Sequence, residues 1–531
     1  MKLNKVKAIA VVLAILALGV YYYVALPAIN IHSSGFWFTI ILILAVILGA
    51  FIVRKKYGVF EIKESKFVKV MGGLILAVVV VYVIGALLSS QIINAKKYQK
   101  LLKVEEGKFT KDIEELSYDQ IPLLDKDSAT LLGNRKMGSM IDMASQFEVD
   151  EIYSQINYQD KPVRVSPLRY ANAIKWLTNQ SEGIPAYVTI DMATQTTELV
   201  KLDEGIKYST SEYFNRNIYR HLRFKYPTYI FNELSFEIDE EGVPYWVCPV
   251  KKFNIGLFGG ETVGRVVLCN AITGETVDYD IKDVPSWIDR AYSADLLIQL
   301  YDYHGTLKHG YINSILGQRD CLVTTDGYNY LAIDDDVWVY TGVTSVSGDQ
   351  SNVGFVLMNQ RTMETKFYAI EGATETSAMD SAEGQVQNLK YTATFPLLLN
   401  IGGEPTYFIA LKDNAGLVKK YAMVNIQKYQ VVGIGDTVSE CEDEYQSLLR
   451  KEGLQDKQEE NKKLSIAGKI TKIAQGVVDG NSHFYLMIEG SDEIFDVSVV
   501  EFIEIIQYEV GQEISVQYRK GNKTNIVTKI E

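Results

Sequence analysis

The run VMGGLILAVVVVYVIGALL, from Val70 to Leu88, carries no charge. As a helix rising about 1.5 Å per residue it nearly crosses the roughly 30 Å hydrocarbon core of a bilayer. The chain before it is membrane-like and the chain after it reads as soluble protein, so this stretch decides which compartment some 440 residues occupy. Two more apolar segments lie upstream, near Ala8 to Leu26 and Phe36 to Val53, each free of Lys, Arg, Asp and Glu. Residues 1–93 therefore read as three transmembrane helices. A cleaved leader ending near Ala25 or Ala28 is the alternative reading of the first.

The flanks orient the spans. Lys2, Lys5 and Lys7 precede the first, and Arg54, Lys55, Lys56, Lys63, Lys66 and Lys69 separate the second from the third, whereas Pro27 to Gly35 holds no Lys or Arg. Basic short loops stay cytoplasmic. The expected topology is a multi-pass protein of the cell membrane with a cytoplasmic N-terminus and everything after Leu88 extracytoplasmic. The spans lack the ionisable groups that carriers keep at mid-membrane, so they read as an anchor in the lipid bilayer.

The whole chain holds 53 basic and 66 acidic residues, and its first 90 residues hold nine and two of these. The part beyond the membrane thus carries about −20. That balance argues against nucleic acid as a partner.

Residues 94–182 read as a stalk followed by an α/β segment, with helical stretches near Ser128 to Ser145 and Pro167 to Gln180. Four elements come next: a strand over Tyr187 to Leu202, a helix over Ser211 to Phe224, two strands over Phe236 to Val250, and a hairpin over Gly264 to Ile281. The same order returns about 160 residues later, at Gly354 to Ile370, Ser381 to Pro396, Leu398 to Asp413 and Val418 to Gly435. Asn359 and Thr362 answer Asp191 and Thr194, and Gly403-Glu-Pro405 answers Gly242-Val-Pro244. Two α+β repeats are expected, over 183–300 and 301–449.

A charged linker covers 450–463. Residues 464–531 alternate as five strands with a helical turn near Val500 to Ile506, the pattern of a small all-β OB-like barrel. Of the ectodomain modules, this barrel at the end of its linker is expected to reach a partner.

The segment from Gly242-Val-Pro-Tyr-Trp through VVLCNA to Thr273-Gly274-Glu275 resembles the PepSY type of domain, in which a helix packs on a small antiparallel sheet. The second copy departs from it, reading Asn425-Ile-Gln-Lys where Thr-Gly-Glu is expected. The resemblance implies a bacterial envelope protein that binds or restrains other proteins and carries over no catalytic residue.

Other chemistry is thin. The five histidines, His32, His221, His304, His309 and His483, form no HExxH motif, and GxSxG and Ser-x-x-Lys are absent. Gly256-Leu-Phe-Gly259-Gly260 lacks the Lys-Ser or Lys-Thr of a phosphate loop and reads as a turn. Asp326 with Asp334, Asp335 and Asp336 offers oxygen ligands for calcium without the alternate spacing of a dedicated loop. Glu240 and Glu241 read as solvated turn acids. Cys248 and Cys269, on successive strands, either pair in an oxidising compartment or stay as small buried thiols, as do Cys321 and Cys441. Tyr213, Phe214, Tyr219, Phe224 and Tyr226 are spaced to pack a helix on its sheet. With no catalytic, cofactor or metal residue assigned, the expectation is a non-enzymatic, membrane-anchored extracytoplasmic scaffold with an envelope protein as partner. The alternative is a PepSY-type regulator or inhibitor of a secreted peptidase or wall hydrolase.

Overall fold

The computed structural model describes residues 2–55, 65–113, 121–333, 335–345, 351–454, 464–478, 481–500, 502–519 and 524–530. Lys56 and Lys63 of the basic loop, Asp334, and residues 455–463 of the linker lie outside them.

Three helices open the chain: α1 (Lys2–Ala25), α2 (Ser34–Lys55) and α3 (Lys66–Leu88). Two described segments, Ser34–Ile52 and Lys66–Leu88, are long and apolar enough to cross a membrane, against the three expected. In α1 the described apolar part is Val12–Ala25, which at about 1.5 Å per residue is only about 21 Å long. These helices leave Leu16, Val20, Leu76, Val83 and Leu87 more than half exposed. A core helix of a soluble protein would cover such side chains, so the exposure is that of helices made for an apolar surrounding.

The body is a stack of antiparallel sheets with helices. Its first sheet orders β2 (Phe147–Val149), β4 (Lys161–Tyr170), β5 (Ile184–Asp191) and β6 (Thr197–Ile206), with β3 (Ser154–Tyr158) also on β4. A four-stranded meander follows: β7 (Ser235–Ile238), β8 (Pro244–Ile255), β9 (Gly259–Asn270) and β10 (Thr276–Asp280). The third layer places β11 (Leu322–Thr324) and β12 (Asn329–Ile333) on β13 (Asp336–Ser345). After the short β14 (Ser351–Asn352) it continues through β15 (Gly354–Asn359) and β16 (Thr365–Tyr368). The two-residue strand β1 (Glu105–Glu106) lies outside β16.

The short β17 (Gly372–Ala373) and β18 (Thr392–Ala393) pair with β14 and the next layer respectively. That layer is a second meander: β19 (Leu397–Ile401), β20 (Glu404–Lys412), β21 (Val418–Asn425) and β22 (Val432–Gly435).

The order of elements is therefore duplicated. Strands β2 to β6 correspond to β11, β12, β13, β15 and β16, and β7 to β10 to β19 to β22. The helices Ile218–Lys225 and Glu375–Gln385 sit between sheet and meander in sequence. The helices Ala294–Thr306 and Val438–Lys451 close each unit.

The two units begin at Phe147 and Leu322, upstream of the expected 183 in the first case, because the sheet needs strands that precede its hairpin. The helical stretch expected from Pro167 to Gln180 is strand up to Tyr170 and helix only over Ala173–Asn179. The strand expected over Tyr187 to Leu202 is the hairpin β5–β6. Asp191 Oδ1 accepts from the backbone N–H groups of Ala193 and Thr194 and turns the chain. Asn359 does the same for Arg361 and Thr362 between β15 and β16. The helix expected from Ser211 starts at Ile218, capped by Asn217. The one expected from Ser381 runs over Glu375–Gln385, capped by Thr374.

The layers share their cores. Trp246, Cys248 and Cys269 pack toward the first sheet. Val247, Val266 and Leu268, on the other face of the same strands, pack with the Ala294–Thr306 helix and with Val339, Val343 and Val356 of the second sheet. Tyr340, Phe355 and Leu357 then face the second meander. Strands buried on both faces read as continuous apolar runs such as VVLC and GFVLM.

At the end of the chain, β23 (Leu464–Val478), β24 (Asn481–Ile488), β25 (Ile494–Ser498), β26 (Glu513–Arg519) and β27 (Asn525–Ile530) close a barrel. Its order is β23-β24-β25-β27-β26, with a parallel β25–β27 pair and a helical turn at Ile503–Gln507. This is consistent with an OB-like barrel.

Candidate functional site

The first unit sits on the ends of the three N-terminal apolar helices. Arg220 and Arg223, one turn apart on the Ile218–Lys225 helix, donate to the carbonyls of Tyr23 (3.2 Å) and Leu26 (2.9 Å), at the end of α1. Cations there satisfy orphan carbonyls and oppose the negative end of the helix dipole. Phe224 lies 5.8 Å from the Tyr22 ring and 6.0 Å from that of Tyr23.

This corrects the aromatic assignment. Tyr213, Phe214, Tyr219 and Phe224 are exposed rather than packed on the sheet. Phe224, with Arg220 and Arg223, meets the end of α1, whereas Tyr213 and Phe214 pack on Trp176 and Tyr226 is partly buried against the core of the sheet as expected.

The loop from Pro27 to Ser33 is held as well. Ile29 N–H donates to Pro227 O, Asn30 to Thr228 O, and His32 Nδ1 lies 2.7 Å from Leu257 O. The glycine-rich Gly256 to Gly260 is the tip of the β8–β9 hairpin, and its partner is Ser89 at the end of α3. Ser89 Oγ accepts from the N–H groups of Leu257 (2.8 Å) and Phe258 (3.1 Å) and donates to Gly85 O. Gly256 has φ +62°, and a side chain there would meet Ser89. Phe258 continues into the rings of Tyr82 and Trp37.

A cleft of about 1010 Å³ lies on the first unit. Its walls include β5, β6 and the two turns Gly242-Val243-Pro244 and Asn270 to Thr273. Asn270 Oδ1 accepts from the backbone of Ile272 and Thr273, and Gly274 takes φ +75°. Strand β6 borders the cleft as the last strand of its sheet. Among the described residues no strand pairs with its outer edge.

In the second unit the same edge is taken. β1, arriving from the stalk, adds in parallel to β16, with Glu105 opposite Lys366 and Glu106 opposite Phe367. Gly107 N–H then donates to Phe367 O at 2.9 Å. Gly107 is required, because a Cβ there would overlap the Tyr368 ring.

The remaining residues singled out by sequence take structural places. Asp336 is clamped by Arg361, Nε to Oδ1 at 2.6 Å and Nη2 to Oδ2 at 2.8 Å, and by Asn359 at 2.8 Å. Asp335 accepts from Asn157 at 3.3 Å. Among the described residues no group of three or more His, Cys, Asp or Glu is placed to hold a metal ion. His304 contacts Gln99 O and His309 contacts Asp320, so the two do not converge. All four cysteines are free and buried, and burial pushes the Cys248 thiol well up.

Sequence reasoning missed a buried carboxylate pair. Glu237 Oε2 accepts from Asp289 N–H (3.0 Å), and Asp289 Oδ2 accepts from Asn157 N–H (2.7 Å), which ties the end of the first meander back to β3. Burial raises both carboxyls above the usual range, and the neighbouring Glu237 adds to the rise at Asp289. The two acids stand 52 residues apart in the sequence, so only the fold brings them together. No protein-family model and no curated protein matches this chain.

Proposed function

We propose that the chain is a non-enzymatic, membrane-anchored protein of the bacterial envelope that holds a partner protein along the open edge of β6. The observation that carries this reading is the difference between the duplicated sheets. In the second unit an extended segment fills the edge of β16, and in the first the equivalent edge borders a cleft large enough for side chains of an added strand. Strand addition supplies main-chain hydrogen bonds for affinity and neighbouring pockets for selectivity. Glu198, Lys201, Asp203 and Glu204 place charge along β6, which discourages pairing with a second copy and selects among partners.

The joint with the helices supports an outward-facing body. The C-terminal ends of α1 and α3 and the N-terminal end of α2 all meet the first unit, so they lie on one side, and Arg54, Lys66 and Lys69 at the far ends of α2 and α3 favour that side as the outer one. The first unit would then stand directly on the outer membrane–water boundary.

A regulator of a secreted peptidase is the second reading, favoured by the position of the PepSY-like signature turns in the cleft wall. Photocrosslinking from Asp203 on β6, with Lys366 on β16 as control, tests the docking site in intact cells. The reading expects one envelope protein crosslinked from Asp203 and none from Lys366. Equal yields from both sites would refute it.

A further inference from the structure

A second cleft, of about 360 Å³, opens between the two units. Its floor comes from β3 and β4 of the first unit, and its opposite wall from Tyr328, β12 and Phe395 of the second. Gln155 and Arg164 stand directly opposite one another on β3 and β4, so their side chains leave the same face of the sheet. They are 4% and 5% exposed.

Arg164 Nη2 donates to Gln155 Oε1 at 3.2 Å, whereas Arg164 Nε and Gln155 Nε2 have no partner. Among the described residues no carboxylate forms an ion pair with Arg164. A guanidinium cannot shed its proton, and burial disfavours its charge; the lining carboxylate Asp125 acts on it only from a distance, being paired with Lys412. A water would satisfy the N–H group and leave the charge unpaired. The missing component is an anion.

The cleft also fixes what kind of anion. Arg290 is mostly buried beside Arg164, while Glu233, 3.8 Å from Arg290, has a largely exposed side chain and Asp295 is exposed. Arg164 and Arg290 thus lie at the depth, and the more exposed lining carries the acids Asp125, Glu151, Glu233 and Asp295 against one base, Lys126, a net negative rim. A phosphate ester would bring a double negative charge past the rim acids. A single carboxylate bearing an ammonium group matches both ends.

We propose that this cleft binds a small zwitterion of amino-acid or dipeptide size, its carboxylate on Arg164 and Gln155 and its ammonium toward Asp295 and Glu233. The inference does not rest on the docking role of β6. Because the walls belong to both units, the ligand would tie them together.

The test is calorimetric titration of the full-length protein in lipid nanodiscs with each of the twenty standard L-amino acids and with alanylalanine. Inorganic phosphate and the C-terminal amide of any binder serve as comparators. At least one zwitterion should bind, and its amide should bind at least tenfold more weakly. Arg164→Met should abolish binding while leaving the unliganded Tm unchanged or higher, since it removes an unpaired buried charge. A purely structural arginine would instead lower the Tm. Asp295→Asn, at an exposed position that leaves the fold intact, should weaken the zwitterion severalfold and leave its N-acetyl derivative unaffected. The proposal is overturned if no zwitterion binds, if phosphate binds in their place, or if both variants bind as the parent does.

Discussion

The two units share one order of strands and helices, yet they differ at the same edge of the same sheet. β16 is covered by two residues of the stalk, and among the described residues no strand pairs with the edge of β6 beside a cleft. Duplication builds in its own control. The second unit shows that this sheet accepts an extended segment, and in the first no strand among the described residues uses that capacity. Their surroundings differ in a matching way: the first unit is clamped to the N-terminal helices through Ser89, Arg220 and Arg223, while the sheet of the second lies between the first meander and its own.

The strongest way to break the comparison is through the shared core. Trp246→Ala, at a fully buried ring in the meander between the two sheets, should cost about 3–5 kcal/mol. It should lower one cooperative transition for both units in calorimetry. Two separated transitions would show that the stack is not continuous.

Gly107→Val should force β1 away from Tyr368 at a cost of about 1–3 kcal/mol and make the second edge resemble the first. Faster amide exchange at Thr365–Tyr368 checks it. Ser89→Ala removes the acceptor for Leu257 and Phe258. A loss of about 1–3 kcal/mol is expected, read as protease sensitivity of the Gly256 to Gly260 tip. An unaltered cleavage pattern would mean that the tip is held by its aromatic contacts instead.

The smallest effect is a slope. Glu237 and Asp289 have raised native-state pKa values, so the folded protein keeps protons that the unfolded chain releases above about pH 4. Stability should therefore fall as pH rises from there toward the native-state values and level off beyond them. Asp289→Asn should flatten that fall and leave the protein relatively more stable at pH 8, as followed by urea unfolding across the pH range. An unchanged slope would remove the pair from the account.

Much of the body was legible because strands buried on both faces spell out apolar runs, and because Gly242, Gly403 and Asn270 mark their turns. The hairpin turns at Asp191 and Asn359 were less visible, since alternation continues through them and only a side-chain-to-backbone bond reverses the chain. Phe224 and Tyr219 look in sequence like the inner face of an amphipathic helix. The place of Phe224 against Tyr22 and Tyr23 depends on α1, some 200 residues away. Arg164 lies in VRVSPLRY, where Pro167 suggested the start of a helix and hid the strand that carries the residue into the junction. Ser89 and the tip at Gly256 to Gly260 each read as punctuation, and only the fold makes them a pair.

The central claim is that the edge of β6 is open while that of β16 is closed. Hydrogen–deuterium exchange on the full-length protein in lipid nanodiscs tests it without a partner. The account predicts that the outward amides of Thr197–Ile206 exchange far faster than those of Thr365–Tyr368. Equal protection of the two strands would contradict it.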